Sequence, residues 1–433
     1  MKFRISISTI IFLLAFNLSY SPEITNEDSV LVNYEQLVPG INLNSMRNTH
    51  GIIQGGMKKT ASGTLKVLVV FVRFADDQTN TQYWPNYNVL PDWAANLVDA
   101  EVPANGIYTN VNLSSYFDMA SGGDGNGNLG EFQMIGDVYY ISTDQPRSAY
   151  TTDASTASHV FAKLDDPSGP YNIDFREYDN WRFVKNGENY NHEFIPFDPL
   201  SQTGGDGKVD HIFLFFRDSS LTVAPDKGGY STLPTTFSTN DGVDINSADG
   251  STQFYAKDRG PFLQDRRAVI ACAHEYGHHL FGTINSNYGS HFDRSDLNEG
   301  NVHCFFLMTN SEAQNMSAYE RYRLGWIDIT FVNSNQSYVS INDTHTTGEA
   351  VMIPIRYDQN NYLREYYLIE NFHTTNSYSN ANPFIFTRLF NHDFYYGLVV
   401  YHIENEDLDW PTQSSIDLEC ADGRWGLAFS SRS

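Results

Sequence analysis

Cysteine is scarce in this sequence of 433 residues, which contains only Cys272, Cys304 and Cys420. Three cysteines close at most one bridge, so the chain is not built on the kind of disulfide framework that holds small secreted domains together. Cys272 lies inside an apolar stretch, where a free thiol packs as a small hydrophobic side chain. We therefore expect an apolar core, not cross-links, to hold the fold.

Positive charge is also in short supply. The chain carries 27 Lys and Arg residues against 52 Asp and Glu residues, which gives a formal net charge of −25. A surface of this sign repels the phosphates of nucleic acids and anionic lipids, whereas it suits solubility and divalent cations. We therefore expect neither a nucleic-acid partner nor a membrane-surface partner.

Long apolar runs are missing as well. No segment reaches the ~18 consecutive apolar residues of a membrane-spanning helix, so no membrane span is expected. At the N-terminus, Lys2 and Arg4 precede an apolar run at residues 10–16, and small and polar residues follow it. This order is typical of a signal peptide, here residues 1–21, and predicts a secreted, extracellular protein. A buried N-terminal strand is the alternative.

Aromatic residues, by contrast, are abundant. The 27 Tyr and 29 Phe residues support large cores and argue against disorder. The runs TLKVLVVFVRF and HIFLFFR are almost continuously apolar, as expected of interior strands that are covered on both faces. We expect an α/β or α+β domain over residues 64–330, preceded by a polar pro-segment or linker at residues 22–63. That segment has no cysteine with which to bind a metal.

The pattern changes beyond residue 330. SYVSIND, EAVMIPIRY, EYYLIENF and GLVVYHIE are short strand patterns separated by turn residues. They predict an all-β extension over residues 331–433. The final stretch, ADGRWGLAFSSRS, has neither a helix nor a strand pattern, which indicates an incomplete or shifted end of a longer protein.

The stretch AVIACAHEYGHHLFG carries the strongest chemical signal. At 3.6 residues per turn, His274 and His278 lie on one face of a helix, where both imidazoles can reach one zinc ion at about 2.1 Å. Glu275 is rotated by about 100° and is placed to hold a water molecule at the open position of the metal. This is the H-E-x-x-H arrangement of two ligands and a general base. His279 lies on another face and is interpreted as a supporting or solvent-facing residue.

A catalytic zinc site usually takes three protein ligands. The extended form of the motif would place a glycine at Phe281 and a ligand at Ile284, and neither residue fits. The third ligand must therefore come from a residue further along the chain. We favour His291, which follows a glycine-containing turn, and keep Asp293 and Glu320 as alternatives.

A second metal site is suggested by the stretch FDPLSQTGGDGKVD. Asp198, Asp206 and Asp210 bring hard oxygen ligands together just ahead of an apolar strand, an arrangement that suits calcium. A turn held by hydrogen bonds between aspartate side chains and the backbone explains the same residues equally simply.

A series of motifs, taken in order, resembles the immune-inhibitor-A-like secreted metalloproteases. The resemblance extends from about Leu65 to about Glu404. It includes VLVVFVRFADD, SSYFDMASGG, IGDVYY, GGDGKVDHIFLFF, HEYGHHLFG, FLM, AYERYRLGW, EYYLIENF and GLVVYHIE. The zinc motif alone is moderately specific, and the ordered series is much more so.

The resemblance implies an exported zinc endopeptidase with a metzincin-like catalytic domain. By position it makes His274 and His278 zinc ligands, Glu275 the general base, and Met308 the methionine of a turn beneath the metal. The family commonly continues HxLGLPD, with an aspartate where Ile284 stands here. This chain reads HHLFGTINSNYGSHFD, so its third ligand arrives after a longer loop.

These observations together predict a secreted zinc-dependent endopeptidase. Its substrate would be an extracellular protein or peptide, hydrolysed by a metal-activated water and a glutamate base. Two alternatives stay open. One is a cell-surface binding or adhesion protein that keeps the protease fold without catalysis. The other is a structural zinc site closed by four protein ligands.

Overall fold

The chain forms a mixed α/β structure, seen in a computed structural model. The structure describes residues 3–5, 48–50, 52, 54–56, 59–124, 127–186, 191–196, 205–217, 229–255, 265–281, 307–308, 316–334, 339–373, 396–404 and 416–418. Within these ranges, every helix is too short or too polar to cross a membrane. The expected absence of a membrane-spanning helix therefore holds for this part of the chain.

Helices are few and strands are many. The α-helices are α1 (Asp92–Ala95), α2 (Leu113–Ala120), α3 (Asp153–Leu164), α4 (Asp265–Phe281), α5 (Ala318–Leu324) and α6 (Thr344–Thr347). Single 3-10 turns lie at Arg147–Ala149 and Phe175–Tyr178. The strands are β1 (Phe3–Ile5), β2 (Gly63–Arg73), β3 (Phe132–Ser142), β4 (Trp181–Asn186), β5 (Asn191–Pro196), β6 (Ile212–Arg217), β7 (Gly229–Tyr230), β8 (Phe237–Ser238), β9 (Asp244–Ile245), β10 (Gly250–Tyr255), β11 (Asp328–Phe331), β12 (Val339–Ile341), β13 (Glu349–Tyr357), β14 (Leu363–His373), β15 (Tyr396–Glu404) and β16 (Ile416–Leu418).

The first large sheet has the order β3-β2-β6-β10-β7. Its first four strands are parallel, and β7 runs antiparallel to β10. Both faces are covered: Val69 and Phe71 of β2 pack into a core with α2 and α4, while Val70 and Val72 pack into a second core with α3. Strands β2 and β6 thus confirm the interior strands predicted from their continuous apolar runs.

The second large sheet has the order β11-β13-β14-β15-β16 and is antiparallel apart from the β11–β13 pair. The described part of residues 331–433 is β-rich, as predicted, with the single short helix α6 inserted. Met352, Tyr366 and Tyr401 of this sheet belong to the same buried cluster as the side chains of α4. The two sheets therefore share one core.

The described residues between 48 and 62, the end of the predicted pro-segment or linker, pack on the rest of the fold. Ile52 is fully buried, Gly55 donates its N–H to the carbonyl of Arg323 at 2.8 Å, and the indole of Trp326 donates to the carbonyl of Ala61 at 2.6 Å. Within the predicted signal peptide, β1 pairs with β12. The assignments of residues 1–21 and 22–63 stay predictions.

Candidate metal-binding and catalytic site

Helix α4 carries the H-E-x-x-H motif and is held by its apolar side chains. Val269, Cys272, Tyr276 and Leu280 are all buried in the core between the first sheet and the second. Cys272 is a buried free thiol, as the sequence predicted. Burial of this stripe fixes the rotation of the helix, and with it the direction of the two histidines on the remaining face.

His274 and His278 come together on one face of α4. Their ring centroids are 5.1 Å apart and their planes are almost perpendicular, at 89°. The Nδ1–H of His274 donates to the carbonyl of Leu307 at 2.7 Å. Because a carbonyl oxygen only accepts, Nδ1 carries a proton, and in the neutral ring the lone pair therefore lies on Nε2. This is the tautomer and the outer contact found at metal-binding histidines.

Glu275, between the two histidines in sequence, is almost fully buried, with 9% of its surface exposed. Burial raises the pKa of its carboxyl to about 8, since a low-dielectric environment disfavours the charged form. A carboxyl group that changes charge near neutral pH suits a general acid or base. The role of Glu275 as a general base stays a prediction.

The turn at Leu307 and Met308 packs beneath the motif. Met308 is fully buried, and a Cβ atom at Gly277 would lie 2.3 Å from its sulfur. Glycine thus allows the helix and the turn to approach this closely, despite its helix-propensity cost of about 1 kcal/mol. The structure places Met308 against the helix turn that joins His274 to His278, and its role as the turn methionine of a zinc site stays a prediction.

Glu320, an alternative third ligand from the sequence, lies in α5 and is fully buried. Its Oε1 accepts the N–H of Met308 at 2.8 Å, and its Oε2 accepts the N–H of Leu307 at 3.1 Å. Ser317 donates its N–H and its hydroxyl to Oε2 at 2.7 and 3.0 Å. Both carboxylate oxygens are thus occupied by hydrogen bonds to the turn and to the start of α5. His291 and Asp293 lie outside the described residues.

His279 is buried on the opposite side of α4. Its Nε2–H donates to the carbonyl of Gly250, at the start of β10, at 3.2 Å, so it fastens the helix to the sheet. His211 and Tyr276 pack against it, with the two histidine rings 4.9 Å apart. Of the two roles expected for His279, support and solvent exposure, the structure shows support.

Two of the three candidate calcium ligands can be placed, while Asp198 lies outside the described residues. Oδ2 of Asp210 accepts the N–H of Trp181 at 3.0 Å, and the N–H of Asp206 donates to Asp179 at 2.9 Å. The Asp210 contact is an aspartate–backbone bond of the kind in the simpler sequence interpretation, whereas Asp206 contributes only its backbone N–H. Calcium at this loop stays a prediction.

A lysine supplies positive charge to the same loop. The ammonium of Lys59 pairs with Asp249 at 3.2 Å, and both side chains are only 13% exposed. Burial raises the pKa of Asp210 to about 7, and the charge of Lys59 opposes that rise. Burial also raises the pKa of Asp206, and the charge of Lys59 opposes that smaller rise as well. Lys59 therefore already compensates part of the negative charge at this loop.

A further group of side chains, not singled out from the sequence, lies on the second sheet. Glu365, His402 and Glu404 have ligand atoms within 4.8 Å of one another, the one such group of three that the described residues contain. Nε2 of His402 lies 3.2 Å from Glu365, whose other oxygen pairs with Arg356 at 3.1 Å. Strand periodicity predicts that His402 and Glu404 share a face, but not which strand lies opposite. All three side chains are partly buried, and the group could hold a metal ion.

Comparison with known proteins does not assign a family. No protein-family model and no curated protein matches this sequence. The likeness to immune-inhibitor-A-like metalloproteases therefore depends on the quoted motifs and on their order along the chain.

Proposed function

We propose that this protein is a secreted zinc-dependent endopeptidase. The observation that carries the proposal is the arrangement on α4: His274, with its proton held on Nδ1 by the carbonyl of Leu307, lies beside His278 and the buried Glu275. A solvent-facing, histidine-rich helix would have no need of a buried carboxyl group or of a closely packed turn beneath it.

The donor set suits zinc. Two imidazoles separated by one helical turn match the preference of this ion for nitrogen ligands. Because both oxygens of Glu320 accept hydrogen bonds, we assign the third position to His291, with Asp293 as the alternative. When bound, zinc lowers the pKa of a bound water towards about 7 and polarises a carbonyl group.

The remaining chemistry belongs to Glu275. Its carboxylate accepts a proton from the attacking water, and the resulting carboxylic acid delivers that proton to the departing amine. The buried surroundings of the carboxyl exclude other water molecules that would compete for the proton.

The test combines metal content with peptide hydrolysis. We expect the purified protein to contain about one zinc ion and to cleave casein, and we expect a chelator to abolish cleavage and added zinc to restore it. Glu275→Gln should retain the metal but lose turnover by about 10²–10⁴-fold, the usual contribution of a general base. His279→Gln is the matched control on the same helix and should keep its metal.

The outcomes separate the proposal from its rivals. A protein that binds zinc but leaves casein and a peptide library intact would be a binding protein that keeps the fold. Undiminished cleavage by Glu275→Gln would assign the base elsewhere. Loss of folding on zinc removal would indicate a structural site.

A further inference from the structure

We propose that Glu320 is a positioning residue for this site: it fixes the peptide unit between Leu307 and Met308, and through that unit it fixes the tautomer and orientation of His274. The inference rests on the proposed zinc site, since it assigns Glu320 a role in holding a ligand of that site.

The first step is how Glu320 is itself held. It is the third residue of α5 and forms a capping box with Ser317, whose hydroxyl accepts the N–H of Glu320 at 3.1 Å and whose own N–H donates to Oε2 at 2.7 Å. A capping box fixes a side chain to the first turn of its own helix. The carboxylate is therefore oriented by α5 before it meets the turn.

The second step is the contact with the turn. Oε1 of Glu320 accepts the N–H of Met308 at 2.8 Å, and Oε2 accepts the N–H of Leu307 at 3.1 Å. Hydrogen bonds from backbone N–H groups to a carboxylate are charge-assisted and about twice as strong as those between neutral groups. Two of them on successive residues fix both the position and the tilt of the turn.

The third step crosses a single peptide plane. The carbonyl of Leu307 and the N–H of Met308 belong to one peptide unit, and the described chain has no cis peptide bond. In a trans peptide these two groups point in opposite directions. The N–H therefore faces Glu320, while the carbonyl faces away and accepts the Nδ1–H of His274 at 2.7 Å.

The result is a chain of two hydrogen bonds through one amide, from carboxylate to imidazole. A hydrogen bond to the N–H of an amide polarises its carbonyl and makes that oxygen a better acceptor. Through this amide, the carboxylate of Glu320 therefore strengthens the hydrogen bond that His274 donates to the carbonyl of Leu307. Metal-binding histidines commonly donate their second N–H to a carboxylate or a backbone carbonyl, and here the two partners are joined in series.

The test measures metal affinity in Glu320→Gln. Glutamine has nearly the same shape, but its NH₂ group would face a backbone N–H in place of an oxygen. We expect zinc affinity, measured by competition with a chromogenic chelator, to fall by about 10–100-fold, the usual cost of removing an outer partner of a metal ligand. The Co²⁺-loaded protein should show an altered visible absorption spectrum, because one of its ligands is reoriented.

Glu370→Gln is the matched control. Glu370 is also a buried glutamate, with 1% of its surface exposed, and the hydroxyl of Tyr401 donates to it. A hydrogen bond from the backbone of Ala318 ties it to the start of α5, and none of the hydrogen bonds among the described residues joins it to Leu307 or Met308. Glu370→Gln should leave zinc affinity and the Co²⁺ spectrum unchanged. This control separates loss of the hydrogen bonds to the turn from a general destabilisation of α5.

A measurement on the wild-type chain covers the case in which Glu320→Gln does not fold. Nitrogen NMR of the histidine-labelled, metal-free protein should show His274 protonated at Nδ1. A neutral His274 ring protonated at Nε2 alone overturns the proposal, as does a Glu320→Gln variant that folds and binds zinc with wild-type affinity and an unchanged Co²⁺ spectrum. A wild-type protein that binds no zinc instead overturns the proposed function.

Discussion

At the scale of single residues, burial of the Glu275 carboxyl lowers the stability of the metal-free protein, a cost that its proposed role as general base explains. Its carboxyl group is buried, and its pKa is raised from 4.5 to about 8. In the metal-free protein the folded state holds a proton that the unfolded state has already released. The free energy of unfolding therefore falls as the pH rises from about 4.5 to about 8, by the linkage between protonation and stability.

The corresponding prediction concerns the metal-free Glu275→Gln variant. Glutamine has no proton to lose, so the variant should be as stable as the wild type near pH 5 and more stable above pH 8, by about 1–4 kcal/mol. Urea unfolding at pH 5, 7 and 8.5 with a chelator present measures the difference in the free energy of unfolding between the two proteins. The contributions of other titrating groups are the same in both and cancel. Parallel stability curves for the two proteins would contradict the assigned pKa.

The residues of the motif could be predicted from sequence because helical periodicity is local. The spacing of His274, Glu275 and His278 determines which face each occupies once the helix forms. The contact of His274 could not be predicted, since its partner is a backbone carbonyl that lies 33 residues away and has no side-chain signature. Glu320 is an alternative third zinc ligand in the sequence, and its hydrogen bonds to the turn could not be predicted, because a buried carboxylate can bind a metal or backbone N–H groups equally well.

At the scale of elements, the interior strands were the most predictable part of the fold. Strands β2 and β6 are covered on both faces, and this produces the continuous apolar runs seen in the sequence. The order of the strands was not predictable, because pairing depends on contacts between distant parts of the chain. The ion pair between Lys59 and Asp249 was not predictable for the same reason, since 190 residues separate the two.

The loop before β6 gives a prediction at this scale. Replacing Lys59 by Gln removes the positive charge that opposes the raised pKa of Asp210. The pKa of Asp210 should rise further, so the free energy of unfolding should fall more steeply between pH 5 and 8 than in the wild type. We expect a loss of about 1–3 kcal/mol at pH 8 and a smaller loss at pH 5, where Asp210 is protonated in both proteins.

Chemical denaturation at the two pH values measures this effect, with Lys163→Gln as the control. Lys163 pairs with Asp144, which is 61% exposed, and exposed pairs contribute only about 0–1 kcal/mol. Calcium adds a second readout. If the loop binds calcium, the ion should restore the stability of Lys59→Gln; if it restores nothing, the aspartates serve the turn alone.

At the scale of the whole molecule, the described residues between 48 and 62 join the two sheets. Asn48 donates to the hydroxyl of Tyr322 in α5 at 2.9 Å, and the carbonyl of His50 accepts the N–H of Leu363 in β14 at 2.8 Å. The segment then continues into β2, which pairs with both β3 and β6 in the first sheet. We call these described residues between 48 and 62 the strap. They pack against both sheets, although their polar sequence without periodicity does not predict it.

This packing predicts where the chain tolerates truncation. A variant that begins at residue 47 keeps the strap but loses β1, which pairs with β12, so it is the reference against which loss of the strap is measured. A variant that begins at residue 62 loses the buried Ile52 and the carbonyl of Ala61 that accepts the indole N–H of Trp326. It should therefore be destabilised by several kcal/mol, since truncating one buried isoleucine to alanine already costs about 2–5 kcal/mol.

Thermal unfolding of the two truncated chains, with full-length Ile52→Ala alongside, tests the strap directly. Processing of the predicted pro-segment would, on the same grounds, cut ahead of residue 48, because a cut after Ala61 removes part of the shared core. N-terminal sequencing of protein recovered from culture medium locates that cut. A mature chain that begins at residue 62 or later and unfolds at the wild-type temperature would show that the contacts of the strap contribute nothing to the stability of the fold.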